Sequence, residues 1–179
     1  MSGRILTRAE LVTAFRRLDD RLRSDKVSAD IFIFGGAAMV LGFNARDSTR
    51  DVDAVWSPHG PVQRAAHAVA DSLDLPRSWL NDQASSFLPS GFSPSGSVAF
   101  EASSLRVIRA DPELMLAMKV SAFRQTDHGD ILWLAEHLGL NDPDDILQLV
   151  EAVMLQPLKD RQREDLFEMF QPIIGQEPN

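Results

Sequence analysis

The stretch FIFGGAAMVLGFNARDSTRDVDAVW, from Phe32 to Trp56, constrains this chain more than any other. Ile31-Phe32-Ile33-Phe34 is short, apolar and β-prone, and reads as a buried strand. Gly35-Gly36 ends it. Ala37 to Leu41 gives a short helix that Gly42 stops, and residues 44–50 read as loop. Val52, Ala54, Val55 and Trp56 form the next strand, which Pro58 and Gly60 terminate. Side chains alternate along a strand. Asp51 and Asp53, at the mouth of this one, therefore point the same way, and Val52 points into the core.

Two carboxylates about 5 Å apart repel by roughly 3 kcal/mol at an effective dielectric near 20. Without a partner, one of them tends to hold a proton. A divalent cation removes the conflict. Hard oxygen ligands on a rigid element suit Mg²⁺, or Mn²⁺ in its place, with the remaining ligands drawn from water and substrate phosphates. Two such ions would clamp a phosphoryl displacement. The competing reading is a pair of solvated strand-end acids, which a chain of net charge -8 readily produces. Gly35-Gly36 bears on the choice, because a backbone without Cβ lets N–H groups approach a triphosphate closely. The helix that follows aims its N-terminus at the same anion. The pair matches neither the P-loop nor the dinucleotide-binding pattern. What remains is strand, GG, helix, loop and a D-x-D strand.

Around this centre the chain is mostly helical. Thr7 and Glu10 have capping-box spacing, and Leu11, Phe15, Leu18 and Leu22 recur every three or four residues. That predicts an amphipathic helix to about residue 24, with Arg16, Arg17, Arg21 and Arg23 largely off its apolar face. Pro61 suits the first position of a helix lined by Val62, Ala66, Val69 and Leu73. Residues 87–97, FLPSGFSPSGS, read as a mobile loop or lid. Val98 to Ile108 is either one bent strand or a hairpin. Asp111-Pro112-Glu113 starts a helix, and three more follow, the last over residues 160–170. The order implies an α/β (α+β) core over residues 1–110 and a helical part over 111–179, packed on it as one compact unit.

There are no cysteines, so disulfides and thiolate metal sites are excluded and a cytoplasmic setting is expected. No apolar run approaches the roughly 18 residues a membrane span needs, and the start, MSGRILTRAELV, has no signal-type stretch. The acidic balance disfavours a general nucleic-acid coat protein. The charge is uneven, however. Residues 1–26 carry seven Lys or Arg against four acids, and residues 141–179 carry three against nine. Solvated helix faces account for both ends. The other reading is a basic flank that meets a polyanion.

Strand, G-[GS], helix and D-h-[DE] together resemble the signature of the polymerase-β-type nucleotidyltransferase superfamily. Here the residues are Gly35-Gly36 and Asp51-Val52-Asp53. The version Arg46-x-Ser48-Thr49-x-Asp51-x-Asp53 looks like the AbiE type II toxins, the related tRNA-modifying toxin nucleotidyltransferases and their small relatives. Those families carry a later Lys, Arg and two acids, matched by Lys119, Arg124, Asp127 and Asp130; Trp79-Leu80-Asn81-Asp82 also looks like a stretch in the small relatives. The resemblance covers roughly residues 30–140. It implies a short mixed sheet flanked by helices, Asp51 and Asp53 on the metal, and Gly35 and Gly36 at the triphosphate. It also implies Arg46, Ser48, Thr49 and Lys119 on phosphates, with Asp130, and less directly Asp127, orienting Lys119 or the nucleotide.

Lys119 stands out by itself, in a helix otherwise almost wholly apolar from Leu114 to Phe123. Either it snorkels from the helix edge or it meets a buried anion. A polymerase-like site usually adds a third carboxylate as base for the attacking hydroxyl. Glu101 is the only acid inside the next strand-like region, with Asp130 as its substitute. The expected function is Mg²⁺-dependent transfer of NMP from an NTP to an acceptor hydroxyl, on a tRNA 3′ end or a protein. A toxin with a separate antitoxin partner fits the resemblance. The alternative is a catalytically degenerate nucleotidyltransferase fold that binds a nucleotide or a partner protein.

Overall fold

The computed structural model describes residues 4–174. Residues 1–3 and 175–179, with the last acid of the acidic tail, Glu177, lie outside the described residues. The chain divides into two compact units. One takes in the chain up to Ser86 together with Pro94–Ala110; the other takes in Phe87–Ser93 and the chain from Asp111 onward.

The first unit opens with a two-residue strand, β1 (Leu6–Thr7), and helix α1 (Arg8–Ser24). Thr7 and Glu10 form the expected capping box, with the Thr7 N–H donating to Glu10 Oε2 at 2.8 Å. Then come β2 (Ala29–Phe34), α2 (Gly35–Leu41), β3 (Ser48–Thr49), β4 (Val52–Ser57), α3 (His59–Leu73), β5 (Leu80–Asn81), β6 (Gly96–Glu101) and β7 (Leu105–Ala110). Five strands make one mixed sheet in the order β5-β4-β2-β7-β6. The β2–β7 and β4–β5 pairs are parallel; β2–β4 and β6–β7 are antiparallel.

Ile31 and Ile33 of β2, Val52 and Ala54 of β4, and Leu105 and Val107 of β7 are all buried. In register they share one face. Helix α1 packs on β7 and on α3, and α3 packs on β4. This α/β arrangement is the one the order of elements implies.

Three local differences have physical reasons. Helix α3 begins at His59, two residues before Pro61. First-turn N–H groups have no intrahelical acceptor, so Pro61 is tolerated there. Residues 48–49 are not loop but pair with β1, Leu6 opposite Thr49 and Thr7 opposite Ser48. Arg8 donates to the Val40 and Leu41 carbonyls, closing the C-terminal end of α2. Arg4 likewise donates to the Leu73 and Asp74 carbonyls, so part of the basic flank holds helix ends.

Of the two readings for residues 98–108, the structure has the hairpin. Its turn is held by Asp19 of α1, which is 5% exposed. Asp19 Oδ1 accepts the Ser104 N–H at 2.7 Å, and Oδ2 accepts the Ser103 hydroxyl at 3.2 Å. Removing an acceptor from part-buried donors costs about 1–3 kcal/mol. Asp19→Ala should therefore lower the melting temperature by about 3–10 °C, read by circular dichroism. An unchanged melt would show the turn to be self-sufficient.

The second unit is helical: α4 (Pro112–Ala122), α5 (His128–His137), α6 (Pro143–Met154) and α7 (Asp160–Ile174). Helix α4 packs on α5, α6 and α7. Its buried run Met115–Val120 includes Lys119. Among the described residues no helix is long and apolar enough to cross a membrane.

Candidate active site

Strand pairing in the first unit gathers the central motif at one end of the sheet. Phe34, the last residue of β2, lies opposite Asp53 of β4, and Asp53 lies beside Asn81 of β5. Asp51 sits one residue before β4, and its Oδ2 accepts from Asn81 Nδ2 at 3.3 Å. Gly35, Asp53, Asn81 and Asp51 thus form one cluster.

The glycines are required by space and by backbone. Gly35 has φ +64°, a left-handed conformation that side-chain-bearing residues rarely adopt. A Cβ there would lie 2.8 Å from Asp53 Oδ2. A Cβ on Gly36 would fall 2.3 Å from Thr49 Oγ1 and 3.6 Å from Arg46 Nη1. The twin glycines therefore let the backbone lie directly against the carboxylate, the Thr49 hydroxyl and the Arg46 guanidinium. With only seven residues in α2, the backbone close to the cluster is a more secure contribution than a helix dipole.

Thr49 is buried, and its hydroxyl donates to the Asp51 carbonyl at 3.1 Å. That hydrogen bond builds the bend that delivers Asp51. Ser48, its neighbour in β3, is half-buried.

Asp51 is half-buried, and burial pushes its carboxyl pKa up. The hydrogen bond from Asn81 and the charge of Arg50 offset part of that rise. Charging Asp51 is therefore costly in the protein alone. Among the described residues no group of three or more His, Asp or Glu side chains is placed to hold a metal ion. A cation on Asp51 and Asp53 would take its other ligands from water and substrate phosphates. Two hard oxygen donors beside a glycine backbone fit Mg²⁺ in that mode.

Glu101 does not join this cluster. It ends β6, the edge strand, with β7 and β2 between it and β4. Its partner is Arg106, which lies beside Asp30, which lies opposite Ser57 at the far end of β4 from Asp53. Three strand spacings of about 4.8 Å, and the length of β4, separate the two acids. Glu101 is exposed, and its charge bears on Arg106, whose guanidinium holds Asp30 at 2.8 and 3.1 Å. The expectation of a third carboxylate at Glu101 is corrected: Glu101 belongs to a surface charge row.

Lys119, Asp127 and Asp130 belong to the second unit. Lys119 Nζ lies 2.9 Å from Asp127 Oδ1 and 2.6 Å from Asp130 Oδ2. The side chains are 9%, 15% and 6% exposed, which makes this a buried ion cluster, not a snorkelling lysine. Lys119 donates a hydrogen bond to Asp127 and is ion-paired with Asp130. His128, between them in sequence, is exposed and meets the Phe123 ring edge-on. Arg124 lies over the Phe87 ring, 5.7 Å from its centre.

Asn81, which the sequence marks only as part of Trp79-Leu80-Asn81-Asp82 and without a role, is a member of the site. Its signal was a polar residue directly after the apolar pair Trp79-Leu80. Both of those are buried, and the Trp79 carbonyl accepts the Val52 N–H at 2.7 Å.

A family model described as a nucleotidyltransferase of unknown function (DUF6036) matches residues 9–174. No curated protein and no solved structure matches the chain.

Proposed function

Because the chain belongs to the DUF6036 family of nucleotidyltransferases of unknown function, we propose that it transfers NMP from an NTP to an acceptor hydroxyl with Mg²⁺ as cofactor. The observation that carries this reading is the contact of Gly35 with Asp53, in a cluster that also holds Asp51. The acceptor oxygen bonds to the α-phosphorus, the bond to pyrophosphate breaks, and the hydroxyl proton passes to water. Asp51 and Asp53 would hold the metal, which when bound supplies positive charge against the triphosphate. Gly35 and Gly36 admit the phosphates to the backbone, and Arg46, beside Gly36, adds a cation there. Lys119, held by Asp127 and Asp130, is assigned to the phosphates on the strength of the resemblance.

An RNA 3′ end and a protein Ser, Thr or Tyr are the two acceptor classes. Arg16, Arg17 and Arg21 are exposed on α1 and are the residues to test for RNA contact. The family match is to nucleotidyltransferases at large. Toxicity and an antitoxin partner are therefore further steps, tested by growth on induction of wild-type and Asp53→Asn protein.

The direct test uses purified protein, Mg²⁺ and each α-labelled NTP, with bulk tRNA in one arm and lysate protein in the other. Label on one acceptor class, dependent on Mg²⁺, is the expected result. No label on either class with any NTP, and no Mg²⁺-dependent NTP binding, would leave a degenerate nucleotidyltransferase fold.

A further inference from the structure

Asn81 is 8% exposed, and both its amide oxygen and its amide nitrogen are hydrogen-bonded. Its Oδ1 accepts the Gln83 N–H at 3.1 Å, and its Nδ2 donates to the Ser78 carbonyl at 3.3 Å and to Asp51 Oδ2 at 3.3 Å. The two backbone partners settle which way the amide faces. A backbone N–H needs the oxygen, and a carbonyl needs the NH₂. The remaining amide proton is thereby committed to Asp51. Around it, β5 is anchored by Trp79, whose indole N–H donates to the Ala66 carbonyl at 3.0 Å, and by its parallel pairing with β4.

We propose that Asn81 is a positioning residue for the cation site: it holds one oxygen of Asp51 by a hydrogen bond and leaves the other to the metal. This rests on the reading of Asp51 and Asp53 as metal ligands. An amide also sets the charge of the site. It stands beside Asp53 on the neighbouring strand, where a carboxylate would add a third anionic ligand. With Asn81 there, the donor set of this cluster stays at two carboxylates, and the nucleotide is left to complete the coordination. Partners that orient a ligand in this way typically contribute about 10–100-fold to metal affinity.

Mn²⁺ titration followed by electron paramagnetic resonance, on wild-type, Asn81→Ala and Asn81→Asp protein without nucleotide, tests the assignment. Asn81→Ala should weaken Mn²⁺ binding by about tenfold. Asn81→Asp keeps an acceptor for the Gln83 N–H and places a carboxylate beside Asp51. It should bind Mn²⁺ more tightly than wild type, and Mn²⁺ should raise its melting temperature by more. A residue that only supports the loop would lower the metal-free melting temperature in both variants and move neither affinity in opposite directions. A folded Asn81→Ala that binds Mn²⁺ as wild type does would overturn the inference. Should Asn81→Ala fail to fold, Asn81→Asp decides, and binding no tighter than wild type overturns it. Wild-type protein that binds no Mn²⁺ would remove the two-carboxylate metal reading and this inference together, whereas wild-type binding with unmoved variants removes this inference alone.

Discussion

Asp51→Asn should cut NMP transfer by about 10³-fold and at the same time melt higher than wild type at neutral pH. The loss follows from removing one of two anionic metal ligands. Several kcal/mol of charge stabilisation are at stake, and each 1.36 kcal/mol is a factor of ten in rate. The gain follows from burial. Asp51 is half-buried with a raised carboxyl pKa, so its ionised form is disfavoured in the fold. A group with a raised folded pKa favours the native state most when it is protonated. That contribution is complete below the ordinary carboxylate range and disappears as pH rises through the folded pKa. The melting difference between the variant and wild type should therefore be small in acid, open as pH rises through the raised pKa, and level off by neutrality. The amide oxygen that the substitution leaves in place of the carboxylate can still accept from Asn81 Nδ2, so the hydrogen bond itself survives. Mg²⁺ with NTP should raise the wild-type melting temperature and move the variant little. Asp53→Asn should match the loss of transfer. Transfer undiminished in both variants would refute the site, and a lower melt for Asp51→Asn would show that its carboxylate stabilises the fold.

The stretch from Phe32 to Trp56 was readable because chemistry and periodicity coincide there. An apolar strand, a residue pair that only glycine satisfies, and a strand led by two acids leave few arrangements, and Gly35 at φ +64° against Asp53 is one of them. What escaped depends on partners distant in the chain. Residues 48–49 carry no strand periodicity, because a two-residue ladder has none; they are strand only because Leu6 and Thr7 lie opposite. Glu101 was readable as an acid in a strand. The order of strands, which puts β6 at the edge, is set by hairpin and crossover geometry that local sequence does not encode. Asp19 left a trace, since it lies in phase with the apolar face of α1, four residues after Phe15. An acid there needs buried donors, and Ser103 and Ser104 supply them from the other end of the unit's sequence.

The ion cluster of the second unit allows a test that separates folding from chemistry. Lys119→Met leaves Asp127 and Asp130 facing each other without their shared cation, in a place where the three side chains are 15% exposed or less. Removing one partner of a buried ion pair costs about 3–5 kcal/mol, because the other charge stays behind. For a chain of this length that is a fall of about 6–20 °C in melting temperature. Loss of transfer in Lys119→Met alone would then say little about phosphates. Replacing the whole cluster with Lys119→Met, Asp127→Leu and Asp130→Leu is expected to restore most of the lost stability, since well-packed apolar side chains substitute for buried ion groups at little cost. Met115 and Leu116, buried one turn before Lys119 on the same helix, already flank it with apolar side chains. Under the proposed function the triple variant folds, melts within a few degrees of wild type and still fails to transfer NMP, while its Mn²⁺ affinity without nucleotide stays that of the wild type. A triple variant that folds and transfers NMP at the wild-type rate would mark Lys119 as a purely structural cation. The nucleotide phosphates would then depend on the Gly35-Gly36 backbone, Arg46 and the metal.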